Sequence, residues 1–113
     1  MEPTALEWTL LFDCYGEMLT EKQQTCFDLH YNQDLSLGEI AEELGISRQG
    51  VHDTLVRTEA ALRSMEQRLG CVRRERRLRQ VSAELEQVAA ALRERGQEDL
   101  AQRLLAAADG IKE

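Results

Sequence analysis

The sequence predicts an all-α protein: a helix-turn-helix head, a long fourth helix and a helical C-terminal tail. Three observations predict it. Residues 35–57 read, in order, as helix cap, short helix, glycine turn, apolar plug, second cap and second helix. The 113-residue chain holds a single proline, Pro3, and is rich in Leu, Ala, Glu, Arg and Gln, which favour helix. Apolar residues recur at intervals of three and four almost to the C-terminus.

Trp8, Leu11, Phe12, Tyr15 and Leu19 fall at helical spacing and predict an amphipathic helix over about residues 4–19. With the aromatics of the next helix they supply the core of a small domain. Thr20 followed by Gln23 is a capping-box pair that opens a second helix, with Cys26, Phe27 and Tyr31 facing inward. Asn32, Gln33 and Asp34 form a polar connector.

Ser36 caps the third helix, with Glu39 completing a second capping box and Ile40, Ala41 and Leu44 on the buried side. Gly45 stands where the chain must turn with positive φ, and the small Ala41 lets the two helices of the motif approach closely. Ile46 plugs the corner and Ser47 caps the fourth helix. In that helix Val51, Leu55, Thr58, Leu62, Met65 and Leu69 continue one stripe for about 23 residues, ending near Gly70.

Leu78, Val81, Leu85, Val88 and Leu92 resume the stripe; Gly96 breaks it; Leu100, Leu104, Ala107 and Ile111 mark a short last helix. The domains expected are therefore a helix-turn-helix domain over residues 1–69 and a helical tail over 70–113. A four-helix head cannot bury the tail seams as well, so they are expected to pack on each other as a bundle or on a partner chain. A homodimer is the simplest partner.

The net charge of −7 is unevenly spread. Residues 1–45 carry ten acids and one base, residues 46–79 nine arginines and four acids, and residues 80–113 seven acids and four bases. A basic block thus follows the second helix of the motif, either as a solvated face or as a stripe for an anionic or acidic partner. Cys14, Cys26 and Cys71 are odd in number, scattered and without a C-x-x-C pair, which suits reduced thiols used as small apolar residues. His30 and His52 supply no metal-ligand spacing, and no cofactor is expected. No apolar run approaches the roughly 18 residues of a membrane span, and the first residues lack a signal-peptide layout, so a cytoplasmic location without membrane insertion is expected.

Leu11-Phe12-Asp13-Cys14-Tyr15, the run from Leu19 to Gln23, the run from Asp34 to Leu44, the run from Ser47 to Asp53, and Arg57-Thr58-Glu59 closely resemble the YlxM family of small bacterial proteins. Their helix-turn-helix is similar to region four of sigma factors, and the resemblance covers roughly residues 6–69. Two positions depart from it. Gly50 stands where the family usually has alanine, and His52 where it usually has an aromatic residue. The resemblance implies a link to the signal recognition particle: an accessory or regulatory protein that binds the particle's GTPase, Ffh, and/or its RNA.

The alternative is a DNA-binding transcriptional regulator that uses residues 47–62 as recognition helix. Arg48, Gln49 and His52 would then meet base edges and Arg57 a phosphate, since arginine and glutamine suit guanine and adenine edges. Against it stand Asp53 on or near the same face, the glutamates Glu39, Glu42 and Glu43 on the preceding helix, and a head with one lysine for phosphate neutralisation. Arg68, Arg73, Arg74, Arg76, Arg77 and Arg79 form a basic stripe better suited to RNA or an acidic partner, although Glu66 and Glu75 interrupt it and no aromatic platform accompanies it. The same arginines are equally suited to pairing with acidic helices of the protein itself. No Gly-rich phosphate loop and no nucleophile–base constellation is recognisable, so an enzyme is not expected.

Overall fold

The structure is a computed structural model that describes residues 2–112. Among these residues there are six α-helices and no strand. They are α1 (Ala5–Tyr15), α2 (Glu21–Phe27), α3 (Leu37–Leu44), α4 (Arg48–Leu69), α5 (Cys71–Glu94) and α6 (Glu98–Lys112). A 3₁₀ turn, Gly16–Met18, follows α1, and a π-helical turn, Asp28–Asn32, follows α2. The chain divides into two compact units, residues 1–72 and 73–113.

In the first unit, local chemistry starts and stops the helices where the sequence predicts. Thr20 and Gln23 exchange both capping-box hydrogen bonds at the start of α2, and Ser36 and Glu39 do the same at α3. Ser47 Oγ accepts the Gly50 N–H at 2.9 Å to cap α4. Gly45, at φ 70°, ends α3 in the left-handed region, and Gly70, at φ 64°, ends α4 likewise. The first helix is shorter than its apolar spacing implies. Beyond Tyr15 the chain tightens into the 3₁₀ turn, and Leu19 reaches the core from extended backbone.

Two apolar clusters hold this unit. One gathers Trp8, Leu11, Tyr15, Leu19, Phe27, Leu62 and Val72. Around it Phe12 stacks on Phe27 at 4.8 Å and Tyr31 lies 4.4 Å from Phe27, ring centre to ring centre. The other, of Cys26, Leu29, Ile40, Ala41, Val51 and Leu55, lies inside the helix-turn-helix, with Leu44 and Ile46 packed against it. The π turn was not legible beforehand. Its wide backbone is closed by Gln33 N–H to Asp28 O at 3.1 Å, while Asp28 takes side-chain hydrogen bonds from Asn32 and Gln33.

Two tyrosines fasten α4 to the helices before it. Tyr31 Oη donates to Glu59 Oε2 at 2.6 Å, and Tyr15 Oη donates to Glu66 Oε1 at 2.7 Å. The two glutamates stand seven residues apart, hence on one stripe of the helix. Burial, then the hydrogen bond to Glu66, pushes the Tyr15 phenol up to about 12; burial and Glu59 raise Tyr31 as well. Tyr15 Oη also accepts the N–H of Cys71 at 2.9 Å, and Glu66 Oε1 accepts that of Val72 at 3.0 Å, so both cap the start of α5. Leu69, placed on the buried stripe by spacing, is half exposed, because α4 is in its last turn there.

In the second unit α5 and α6 form a helical hairpin. Gly96, at φ 80°, turns the chain, and Arg93 meets Glu98 beside the turn at 3.0 Å. Far from the turn, Ser82 Oγ donates to Ala108 O at 3.3 Å. The expected seam is only partly covered within this unit. Leu78, Val81, Val88 and Leu100 are exposed, and the buried positions are Ser82, Ala89, Ala101 and Ala108, with Leu85, Leu92, Leu104 and Ile111 half-buried. Ala107 is also exposed, one position off the packed face. Small residues allow close helix approach, so the contact line falls beside the Leu/Val stripe instead of along it.

Candidate nucleic-acid or partner interface

The N-terminal half of α4 presents Arg48, Gln49, His52, Asp53 and Arg57 to solvent. Their placement follows from Ser47, which fixes where the helix begins, and from buried Val51 and Leu55, which fix which side faces out. Of these residues the structure draws Gln49, His52 and Asp53 together. Gln49 Nε2 donates to Asp53 Oδ1 at 2.9 Å, and His52 Nδ1 lies 3.5 Å from the same oxygen. The hydrogen bonds from Gln49 and His52, reinforced by the charge of Arg57 further along the helix, hold the Asp53 carboxyl below its ordinary range. Sequence reading placed Asp53 only as a charge opposing DNA; in the fold it organises its neighbours.

Arg48 does not join this group. Its guanidinium lies against α3, where a β-carbon built on Gly38 would be 2.9 Å from Nη2. The cleft between α3 and the start of α4 is lined by Ser36, Gly38, Glu39, Glu42, Ile46 and Arg48. Glu39, Glu42 and Glu43 are exposed, so the rim of this face is acidic. Among the described residues, no three His, Cys, Asp or Glu side chains are grouped to hold a metal ion. His30 turns inward to Leu35 O, 3.2 Å from its Nδ1, and packs edge-on against Tyr31.

Arg68 is exposed in the last turn of α4, where a cation complements the helix dipole. Arg73, Arg74, Arg76, Arg77 and Arg79 are exposed on the first turns of α5, in the second unit. Arg79 pairs with Glu75 at 3.2 Å. One arginine of the basic block serves the core instead: Arg63 bonds Glu2 at 2.7 Å and lies 5.1 Å above the Trp8 ring. No helix among the described residues is long and apolar enough to cross a membrane.

Comparison with known proteins agrees with this architecture. The family model UPF0122, described as "Putative helix-turn-helix protein, YlxM / p13 like", matches residues 3–103. A UPF0122 protein of Thermoanaerobacter sp. (strain X514) is 53% identical over 74 residues, 66% of this chain and 63% of that protein. One from Symbiobacterium thermophilum is 55% identical over 71 residues, 62% of this chain and 66% of that protein. A third, from Listeria welshimeri, is 44% identical over 77 residues, 68% of this chain and 70% of that protein. The chain thus spans somewhat under two thirds of the length of the Thermoanaerobacter relative it matches. With a left-handed glycine between two capped helices and a family match over nearly its whole length, the chain belongs to the YlxM/p13-like helix-turn-helix family, UPF0122.

Proposed function

We propose that this protein acts by binding, as an accessory or regulatory component of the bacterial signal recognition particle pathway. Its partners in this reading are the particle's GTPase, Ffh, and/or its RNA. The observation that carries the reading is the state of the face an operator reader would use. Gln49 and His52 are turned toward Asp53, Arg48 lies on α3, and exposed Glu39, Glu42 and Glu43 flank them. A duplex approaching this face meets carboxylates where phosphate neutralisation is needed. Arginines supply the contact instead, Arg68 in the first unit and Arg73, Arg74, Arg76 and Arg77 in the second, since arginines engage phosphates and acidic side chains alike. The particle link itself rests on resemblance to the family. The exposed Leu78, Val81 and Val88 support a homodimer, which sedimentation of the purified protein tests.

The second reading, a DNA-binding regulator, is favoured by the helix-turn-helix and by the exposure of Arg48, Gln49, His52 and Arg57 on its second helix. One titration series at about 150 mM salt, against Ffh, the particle RNA and duplex DNA, separates the two, since salt sets the non-specific background. Saturable binding to Ffh or the RNA, lost when Arg73, Arg74, Arg76 and Arg77 are changed to Glu, is the expected result. Tight, sequence-dependent DNA binding with no response to Ffh or RNA refutes it.

A further inference from the structure

Cys14 lies in the last turn of α1 and Cys71 is the first residue of α5, 57 positions later in the chain. Their Sγ atoms are 3.5 Å apart. Both are half-buried at the edge of the Trp8–Leu62 cluster, within reach of small solutes, whereas Cys26 is fully buried in the other cluster. Their backbones are tied by the adjacent Tyr15, whose hydroxyl accepts the Cys71 N–H. A disulfide bond is about 2.05 Å long, so the sulfurs have to close by only about 1.5 Å, a displacement on the scale of side-chain rotation.

We propose that Cys14 and Cys71 are a redox modification site, forming a reversible intramolecular disulfide when the protein meets a peroxide. One thiol attacks the peroxide, its sulfur taking one oxygen to give a sulfenic acid while water leaves. The second thiol then displaces that hydroxyl as a second water, and the S–S bond forms. Two thiols lose two electrons and two protons in all, and one hydrogen peroxide becomes two waters. A dithiol reductant reverses the step by exchange. The cross-link closes a covalent loop over residues 14–71, which holds α2, α3 and α4, and pins the α4–α5 junction at Gly70 to the end of α1.

The test treats the purified full-length protein with stoichiometric hydrogen peroxide. The expected result is a fall in titratable thiols from three to one per chain, a mass lower by two hydrogens, and a non-reduced peptide joining Cys14 to Cys71. Dithiothreitol restores the starting state. The cross-linked form should melt roughly 5–15 °C higher, because the loop is long. Cys14→Ser and Cys71→Ser should each abolish the mass loss, and the wild-type peptide map stands whether or not either variant folds. Three thiols remaining, oxygen adducts without a cross-link, a bond to Cys26, or covalent dimers would each overturn the proposal.

Discussion

Replacing Tyr15 by phenylalanine removes one oxygen and with it two hydrogen bonds, to Glu66 at 2.7 Å and from Cys71 at 2.9 Å. The ring stays in place among Trp8, Leu11 and Phe27, so no cavity opens. A bond to a charged carboxylate contributes about 1.5–3 kcal/mol, and a donor left without its acceptor costs about 1 kcal/mol more where water reaches it poorly. Cys71 is half-buried, which places its share at the low end, and Glu66 keeps the Val72 N–H. The sum is a loss of about 2–3 kcal/mol. With a urea slope of about 1–1.5 kcal/mol per molar for a chain this size, the midpoint falls by about 1.3–3 M. Trp8, the single tryptophan, sits in the same cluster and reports the transition by fluorescence. A double-mutant cycle with Glu66→Gln should give a coupling of at least about 1 kcal/mol. A loss below about 0.5 kcal/mol, or additive mutants, would refute the view that this oxygen joins α1 to the α4–α5 junction.

Gly45→Ala puts a β-carbon on a residue at φ 70° and should cost about 1 kcal/mol in chemical denaturation, although nothing lies within 4 Å to clash with it. Gly50→Ala puts a better helix former in the first turns of α4. The new β-carbon sits 3.2 Å from Ser47 Oγ, which can give slightly, so a gain of about 0.5–1 kcal/mol is expected, measured the same way. In Gly38→Ala only the end of the Arg48 side chain must move, so the melting temperature should hold or rise while nucleic-acid affinity shifts as Arg48 leaves α3. Both tyrosines resist ionisation in the fold. The stability this supplies is complete below the unfolded tyrosine value near 10 and is lost as pH rises toward the Tyr15 value of about 12. Tyrosinate absorbance should therefore lag behind that of a tyrosine peptide and appear together with unfolding.

What the sequence disclosed was whatever a few neighbouring residues decide. Ser36 with Glu39, Thr20 with Gln23, and Gly45, Gly70 and Gly96 each act within one turn of chain, and helix boundaries followed from them. The outward face of α4 was legible for the same reason, because Val51 and Leu55 fix the rotation of the helix. Periodicity failed in the second unit, where Ala89, Ala101 and Ala108 pack although hydrophobicity points to Leu78, Val81 and Val88. Alanine carries little apolar signal, and close approach is a property of two helices together. Contacts between distant residues were beyond reach altogether. Tyr15 with Glu66 and Cys14 with Cys71 stand 51 and 57 positions apart, and nothing local marks either pair. The hold of Asp53 on Gln49 and His52 is an exception that spacing signals, since positions 49 and 53 are one helical turn apart.

The start of α5 has a consequence for the order of assembly. Isolated helices are limited by the cost of ordering their first turn, and the amide groups of that turn find no partner within the helix. In α5 the first two of those amides are received by Tyr15 from α1 and by Glu66 from α4, not by a cap from the adjoining residues. The folded N-terminal unit therefore acts as a template on which the 24-residue helix nucleates. As the chain leaves the ribosome N-terminus first, Tyr15 and Glu66 emerge before the amides that they receive. Nucleation then spreads from Cys71 toward Gly96 in the direction of synthesis.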